Sequence, residues 1–166
     1  MYHHLLVPTD GSAPSARCLS HAVALARALE ARITVFHARR SADTQTAVLP
    51  YGLEAVAFDA ELTARFEESR RQQADQLLAA AVAEANAGGV DAEPESVAAD
   101  CVWRAILEAA ERRGCDLIMM ASHGRSGLAA LLVGSETLRV LSHSPVPVLV
   151  DRPPAAASER GEEMPV

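Results

Sequence analysis

Residues 115–150 read CDLIMMASHGRSGLAALLVGSETLRVLSHSPVPVLV, and their alternation of apolar runs with small-residue turns decides the fold. Asp116-Leu-Ile-Met-Met-Ala121 is a short continuous apolar run between turn signals. It predicts a strand buried on both faces, as in a parallel sheet. A glycine-bearing loop, Ser122-His-Gly-Arg-Ser-Gly127, follows. After apolar residues 128–133, Gly134-Ser135 predicts the start of a helix of about two turns that stops before Pro145. Val146 to Val150 then predicts a further buried strand. A strand, a glycine loop, a helix start and a strand together form the layout of an anion site.

The two glycine turns carry that reading. Gly124 lets backbone approach a ligand with no side chain in the way, and Gly134-Ser135 places amide N–H groups at the positive end of a helix. Ser135 has two uses open to it: capping its own helix, or turning its hydroxyl to a phosphate oxygen. Glycine turns between strand and helix are common, so these residues alone leave both phosphate binding and an ordinary turn open.

The spacing resembles the nucleotide motif of the universal stress protein family, which is glycine, two residues, glycine, nine residues, glycine, then serine or threonine. Gly124, nine residues, Gly134 and Ser135 fit its last three positions, and SHGRSGL, LLVGS and the closing PVPVLV are typical of the family. Ala121 stands where the first glycine would be. The resemblance runs over roughly residues 3–151, weakly through the middle. It implies a doubly wound, five-stranded parallel sheet of order 3-2-1-4-5 with helices on both faces, and an adenine nucleotide as ligand.

Size and composition agree with a single α/β unit. At 166 residues, 49% of them hydrophobic, the chain is long enough for one sizeable core. The expected organisation is one domain over residues 1–151 and a disordered tail over 152–166, where small, polar and proline residues leave nothing to bury. No apolar run approaches the about 20 residues of a membrane span, and MYHHLLVPTD lacks the pattern of a signal peptide. A cytoplasmic location is the expectation. Cys18, Cys101 and Cys115 are widely spaced, without C-x-x-C, and read as reduced thiols. The formal net charge of −7 argues against nucleic acid or an anionic membrane as the main partner. Arg39-Arg40, Arg70-Arg71 and Arg112-Arg113 read as solvated faces. All fifteen basic residues are arginine, which excludes a Walker-type P-loop, a kinase-type lysine and a Schiff base.

Taken in order, residues 3–7 lead to Pro8-Thr9-Asp10-Gly11-Ser12. This predicts a first strand ending at Pro8 and a helix capped by Ser12, with Cys18, Ala22, Leu25 and Leu29 facing a sheet. His21 beside that face reads as an ordinary boundary residue. Asp10, at the carboxyl end of a strand, suits a ribose hydroxyl or an adenine amino group. A turn-forming aspartate bonding its own backbone is its alternative, and the family match at Pro8-Thr9-Asp10 favours the ligand. Residues 32–38 (RITVFHA) predict the second strand. His37 near its end is within reach of a ligand, although such a histidine more often bonds neighbouring backbone. By resemblance, Ala38 lines the adenine pocket.

Residues 39–58 show no sustained period and read as a long crossover, while 59–86 predict one long helix ended by Gly88-Gly89. Leu62, Phe66, Gln73, Leu77 and Ala81 lie near one stripe of it. Pro94 marks residues 90–98 as an edge strand. Asp100 is placed to cap a helix through Arg113, with Val102, Ile106, Ala109 and Ala110 inward and Gly114 as its stop. Trp103 reads as packing or interface.

In the order 3-2-1-4-5, the crevice opens between the carboxyl ends of the first and fourth strands. Pro8-Thr9-Asp10 and residues 121–124 sit at those ends, so two motifs distant in sequence converge. The ligand reading is ATP, with Mg²⁺ carried by the phosphates. Asp10 takes the ribose or adenine edge, and Ala38 with the Pro8 turn forms an apolar floor. Amides near Gly124, Gly134 and Ser135 hold phosphate, and Arg125 is either a bidentate phosphate donor or an exposed loop arginine with no specific role. Met120, Ala121, His123 and Glu136 complete the candidate set. Glu136 favours the helix dipole but repels phosphate. Catalysis has little support: Ser122 and His123 are neighbours in extended chain, whose side chains diverge. Three readings result: a nucleotide-dependent stress-response module, a dimeric scaffold of the same family that binds no nucleotide, and a slow ATP hydrolase. Val146 to Val150 is a dimer edge, as the family implies, with an edge covered by the tail as the alternative.

Overall fold

The computed structural model describes residues 1–39, 60–122 and 133–152. Strands and helices alternate as β1 (His4–Pro8), α1 (Ala13–Leu29), β2 (Arg32–Arg39), α2 (Ala60–Ala87), β3 (Ala92–Ala98), α3 (Val102–Arg113), β4 (Leu117–Ala121), α4 (Ser135–His143) and β5 (Val148–Asp151). The five strands form one sheet in the order β3-β2-β1-β4-β5, and every pairing is parallel.

The alternation of β-strand side chains builds a core on each face. Leu5, Val7, Ile33, Val35 and Met119 pack against Cys18, Leu19 and Ala22 of α1 and Leu78 and Ala81 of α2. Leu6, Phe36, Ile118 and Met120 pack against Ala105, Ile106 and Ala109 of α3 and Val140 of α4. β4, and β1 apart from His4, are covered on both sides and apolar for this reason.

The ends of α1 and α2 match their sequence signals. The Ser12 side chain accepts from Ser15 N at the start of α1. Gly89, at φ +80°, sits just past α2, while a Cβ on Gly88 would lie 2.4 Å from Val23 Cγ1, so α2 closes onto α1 only over a glycine. The buried stripe of α2 differs from the expected one. Ala74, Leu78, Ala81 and Ala85 face the core, whereas Gln73 and Leu77 lie one position around the helix and face a cleft. The side chains of Leu62 and Phe66, and the crossover at 40–59, lie outside the described residues.

Four further expectations change. Asp100 does not cap α3: Cys101 holds the N-cap position without a side-chain bond. Instead, Glu136 Oε2 in the first turn of α4 accepts from Trp103 N at 2.8 Å. This cap comes from a residue 33 positions away, which no local pattern reveals. Arg112 and Arg113 are not merely solvated, since both bind the buried carboxylate of Glu95, and Arg113 Nη1 also reaches Glu93 Oε2 at 3.0 Å. β5 is not buried on both faces: it pairs only with β4, and Leu149 is 41% exposed. The edge is tied to α1 by Asp151, whose Oδ2 accepts from Arg17 Nε at 3.2 Å and whose Oδ1 lies 2.8 Å from His21 Nδ1. His21 is therefore a tether of the last strand.

His4, Cys18 and Cys115 are buried ionisable groups of the core. His4 Nε2 lies 2.8 Å from Thr34 Oγ1, and its buried Nδ1 meets no close hydrogen-bond partner among the described residues. Burial pushes the His4 imidazole below its usual pKa of 6.5, and Arg32 adds to this. Burial also pushes the thiols of Cys18 and Cys115 up, to about 12 and about 11, which keeps them protonated.

The His4 shift fixes a pH dependence. Its folded-state value lies below the unfolded one, so the unfolded chain binds the proton more readily. Stability from neutral His4 is complete above pH 6.5 and is lost as pH falls through the folded value. His4→Gln should flatten that part of a melting-temperature profile. Glu95 acts lower: burial pushes its carboxyl up, but hydrogen bonds from Arg112 and Arg113 outweigh this and hold it below 4.5, so its contribution is lost only in stronger acid.

The long-range cap gives a second test. Glu136→Ala should cost about 1 kcal/mol, as a lost helix cap does, and lower the melting temperature by about 2–4 °C. Asp100→Ala should leave it unchanged.

Candidate functional site

The carboxyl edge of the sheet carries a cleft of about 840 Å³ over the ends of β1 and β2, beside the point where the strand order reverses. Its floor is the turn after β1, Pro8 to Gly11, together with the end of β2 at Phe36, His37 and Ala38. Leu77 and Gln73 of α2 form one wall, and Val102 and Ile106 of α3 form another. Gly134, Ser135 and Glu136 close the α4 end. A smaller recess of about 110 Å³ shares Pro8, Asp10, Val102 and Ile106 with the cleft and adds Met120, Ala121 and Thr137.

The turn after β1 is held by its own side chains. Thr9 N donates to Phe36 O at 2.8 Å. Thr9 Oγ1 accepts from Gly11 N at 3.2 Å and donates to Ser15 Oγ at 3.1 Å. Asp10 Oδ1 accepts from Ser12 N at 3.0 Å and Ser12 Oγ at 2.6 Å. The turn-forming use of Asp10 is thus present, and the residue borders both spaces at once. His37 Nδ1 lies 2.7 Å from Thr9 O and bridges the ends of β2 and β1.

On the far side, two bonds stitch the start of α4 to the end of β4. Gly134 N donates to Ser122 O at 2.7 Å, and Thr137 Oγ1 donates to Ala121 O at 3.1 Å. Gly134 is the N-cap, with no side-chain cap bond, so Ser135 is the first helical residue and does not cap its own helix. Its exposed hydroxyl makes no hydrogen bond among the described residues. The first-turn amides of α4 point out of the helix start and concentrate positive potential there. Glu136, in this same turn, sends Oε2 to Trp103 N, and its Oε1 lies 3.6 Å from Arg139 Nη1. Its negative charge is thereby engaged on α3 and within α4.

The structure brings Pro8, Thr9, Asp10, Ala38, Gly134, Ser135 and Glu136 into one cleft, with Met120 and Ala121 in the adjoining recess. His123, Gly124 and Arg125 lie outside the described residues. Sequence reasoning missed the walls. Val102 and Ile106 read as core, and Gln73 and Leu77 as part of a buried stripe, because a cleft wall and a core face share one apolar period. Arg39 and Arg70 also border the cleft. Arg39 Nε donates to Ser96 Oγ at 3.1 Å, and no carboxylate pairs with Arg39 among the described residues.

This architecture has known counterparts. Residues 1–152 match the model of the universal stress protein family. Universal stress protein YxiE of Bacillus subtilis (strain 168) is 30% identical over 153 residues, covering 92% of this chain and all of the relative. Among solved structures, protein MJ0577 superposes with a TM-score of 0.76 at 24% identity, over 94% of this chain and 99% of that one. A universal stress protein solved in complex with cAMP gives 0.61 at 24% identity, covering 91% and 97% of the two chains. One from Archaeoglobus fulgidus in complex with dAMP gives 0.57 at 19%, covering 90% and 97%. At these identities the structural likenesses speak for the fold, and the match along the sequence speaks for descent: the chain belongs to the universal stress protein family.

Proposed function

We propose that the protein is an ATP-binding module of the stress response, whose partners sense whether the cleft is loaded. The observation that carries this reading is the convergence of two turns on one cleft: the Pro8-Thr9-Asp10 turn after β1, and the first turn of α4 held against the end of β4. One side offers apolar and acceptor groups for a nucleoside, and the other offers backbone donors and the exposed Ser135 hydroxyl for phosphate. The cAMP- and dAMP-bound relatives support an adenine nucleotide as the ligand class.

In this reading, the base and ribose lie over Pro8, Asp10 and Ala38, above the recess lined by Met120 and Ala121. The phosphates lie at the first turn of α4 beside Ser135, since the Gly134 amide is already bonded to Ser122 O; His123, Gly124 and Arg125, outside the described residues, belong to the same proposed set. Glu136 borders the cleft, and its bonds to Trp103 N and Arg139 draw the carboxylate aside and lessen its repulsion of phosphate without removing it. Any Mg²⁺ would be carried by the phosphates, because no cluster of three His, Cys, Asp or Glu side chains stands ready for an ion among the described residues. Cytoplasmic location and a homodimer through the edge strand β5 belong to the same proposal. Leu149 on β5 and Leu138 and Leu141 on α4 offer exposed apolar surface for that contact. No helix among the described residues is long and apolar enough to cross a membrane.

Calorimetric titration of nucleotide-stripped protein with ATP, ADP, AMP and adenosine tests the reading, with Ser135→Asp alongside. An aspartate in the first turn suits the helix dipole and keeps the fold, yet sets a like charge against phosphate. ATP affinity should fall at least about tenfold in the variant, with adenosine affinity and melting temperature unchanged. An absence of heat with ATP in the native protein would point to the scaffold reading instead.

A further inference from the structure

The first amides of a helix have no acceptor within it, and at the start of α3 the N-cap residue Cys101 supplies none from its side chain. The Trp103 amide is satisfied from outside, by Glu136 Oε2 at 2.8 Å. That carboxylate stands between two places: it belongs to the first turn of α4 and borders the cleft beside Ser135, yet it caps a different helix. Its side chain is 41% exposed, so the bond opens to water in a local equilibrium. The Trp103 ring centroid lies 4.6 Å from that of His143, at the other end of α4, and Arg104 Cζ lies 5.4 Å from the same tryptophan ring. The start of α3 is thus held against both ends of α4, and one of the two contacts is a charge at the edge of the cleft.

We infer that Glu136 couples the charge of the ligand in the cleft to the order of the start of α3. The inference rests on the phosphate placement above and adds what loading changes elsewhere in the protein. An anion at the first turn of α4 repels the carboxylate most strongly when it turns toward the cleft, so binding shifts Glu136 onto Trp103 N. The start of α3 is then more firmly capped in the loaded protein than in the empty one. The linkage is reciprocal: a Glu136 held on Trp103 N favours the anion by the same factor. A nucleoside without phosphate has no such effect, because it sets no charge against the carboxylate.

Hydrogen exchange of the Trp103 amide, followed by NMR with no ligand, with ATP and with adenosine, tests the coupling in the native protein and in Glu136→Gln. The glutamine keeps an oxygen that accepts from Trp103 N, so α3 retains its cap, but it carries no charge. In the native protein ATP should slow the exchange about fivefold and adenosine should leave it unchanged, with an ATP-specific shift in the fluorescence of the chain's single tryptophan. In Glu136→Gln the slowing should vanish, while calorimetric affinity for ATP rises about threefold and that for adenosine stays the same. Equal slowing by ATP and adenosine, no slowing by bound ATP, or an ATP-specific slowing that survives in Glu136→Gln would each overturn the inference while leaving ATP binding intact. An absence of ATP binding in calorimetry would overturn the nucleotide reading, and the inference with it.

Discussion

A backbone hydrogen bond, from Gly134 N to Ser122 O at 2.7 Å, fixes where α4 begins at the carboxyl edge of the sheet. It fastens the start of α4 to the residue that leaves β4, and Thr137 Oγ1 on Ala121 O repeats the fastening within the first helical turn. Without that stitch, the positive end of α4 would have no fixed relation to the turn after β1. With it, the two face each other across one cleft, at the place where the strand order reverses.

Placing a helix start at a cleft creates an electrostatic tension that the chain resolves without lysine. Glu136 suits the helix dipole but would oppose an anionic ligand. Its carboxylate is engaged on Trp103 N, where it also supplies the cap that α3 lacks from its own sequence. One side chain thus joins α3 to α4 and leaves the donors of the first turn facing the cleft. A parallel economy holds at the other end, where the Asp10 and Thr9 side chains satisfy their own turn and His37 ties it to β2.

Much of the fold was legible because its signals are local. The apolar run of β4, the Ser12 cap, the Gly88-Gly89 stop and Pro94 on an edge strand each state a backbone preference that holds wherever the segment is placed. The strand order and the meeting of Pro8-Thr9-Asp10 with Gly134-Ser135 were legible through resemblance to a family. Burial was read less well. Residues 146–150 look as apolar as β4, yet β5 is an edge with Leu149 41% exposed, since composition does not say how many neighbours a strand has. Gln73 and Leu77 were assigned to the core stripe, and a rotation of one residue puts them on the cleft instead.

What the chain determines by itself is its sequence of elements and the chemistry available to them: arginine as the sole basic residue, glycine and serine at a helix start, an aspartate and a histidine at strand ends. These follow from composition and short-range periodicity. Which groups are already committed is decided only by tertiary structure. Asp100 gives way to Glu136 as the cap of α3, Arg112 and Arg113 are drawn onto Glu95, and His21 becomes the tether of β5. The reason is that hydrogen bonds and ion pairs are short-ranged while their partners here lie 17 to 130 positions apart. Only the folded sheet brings them within reach.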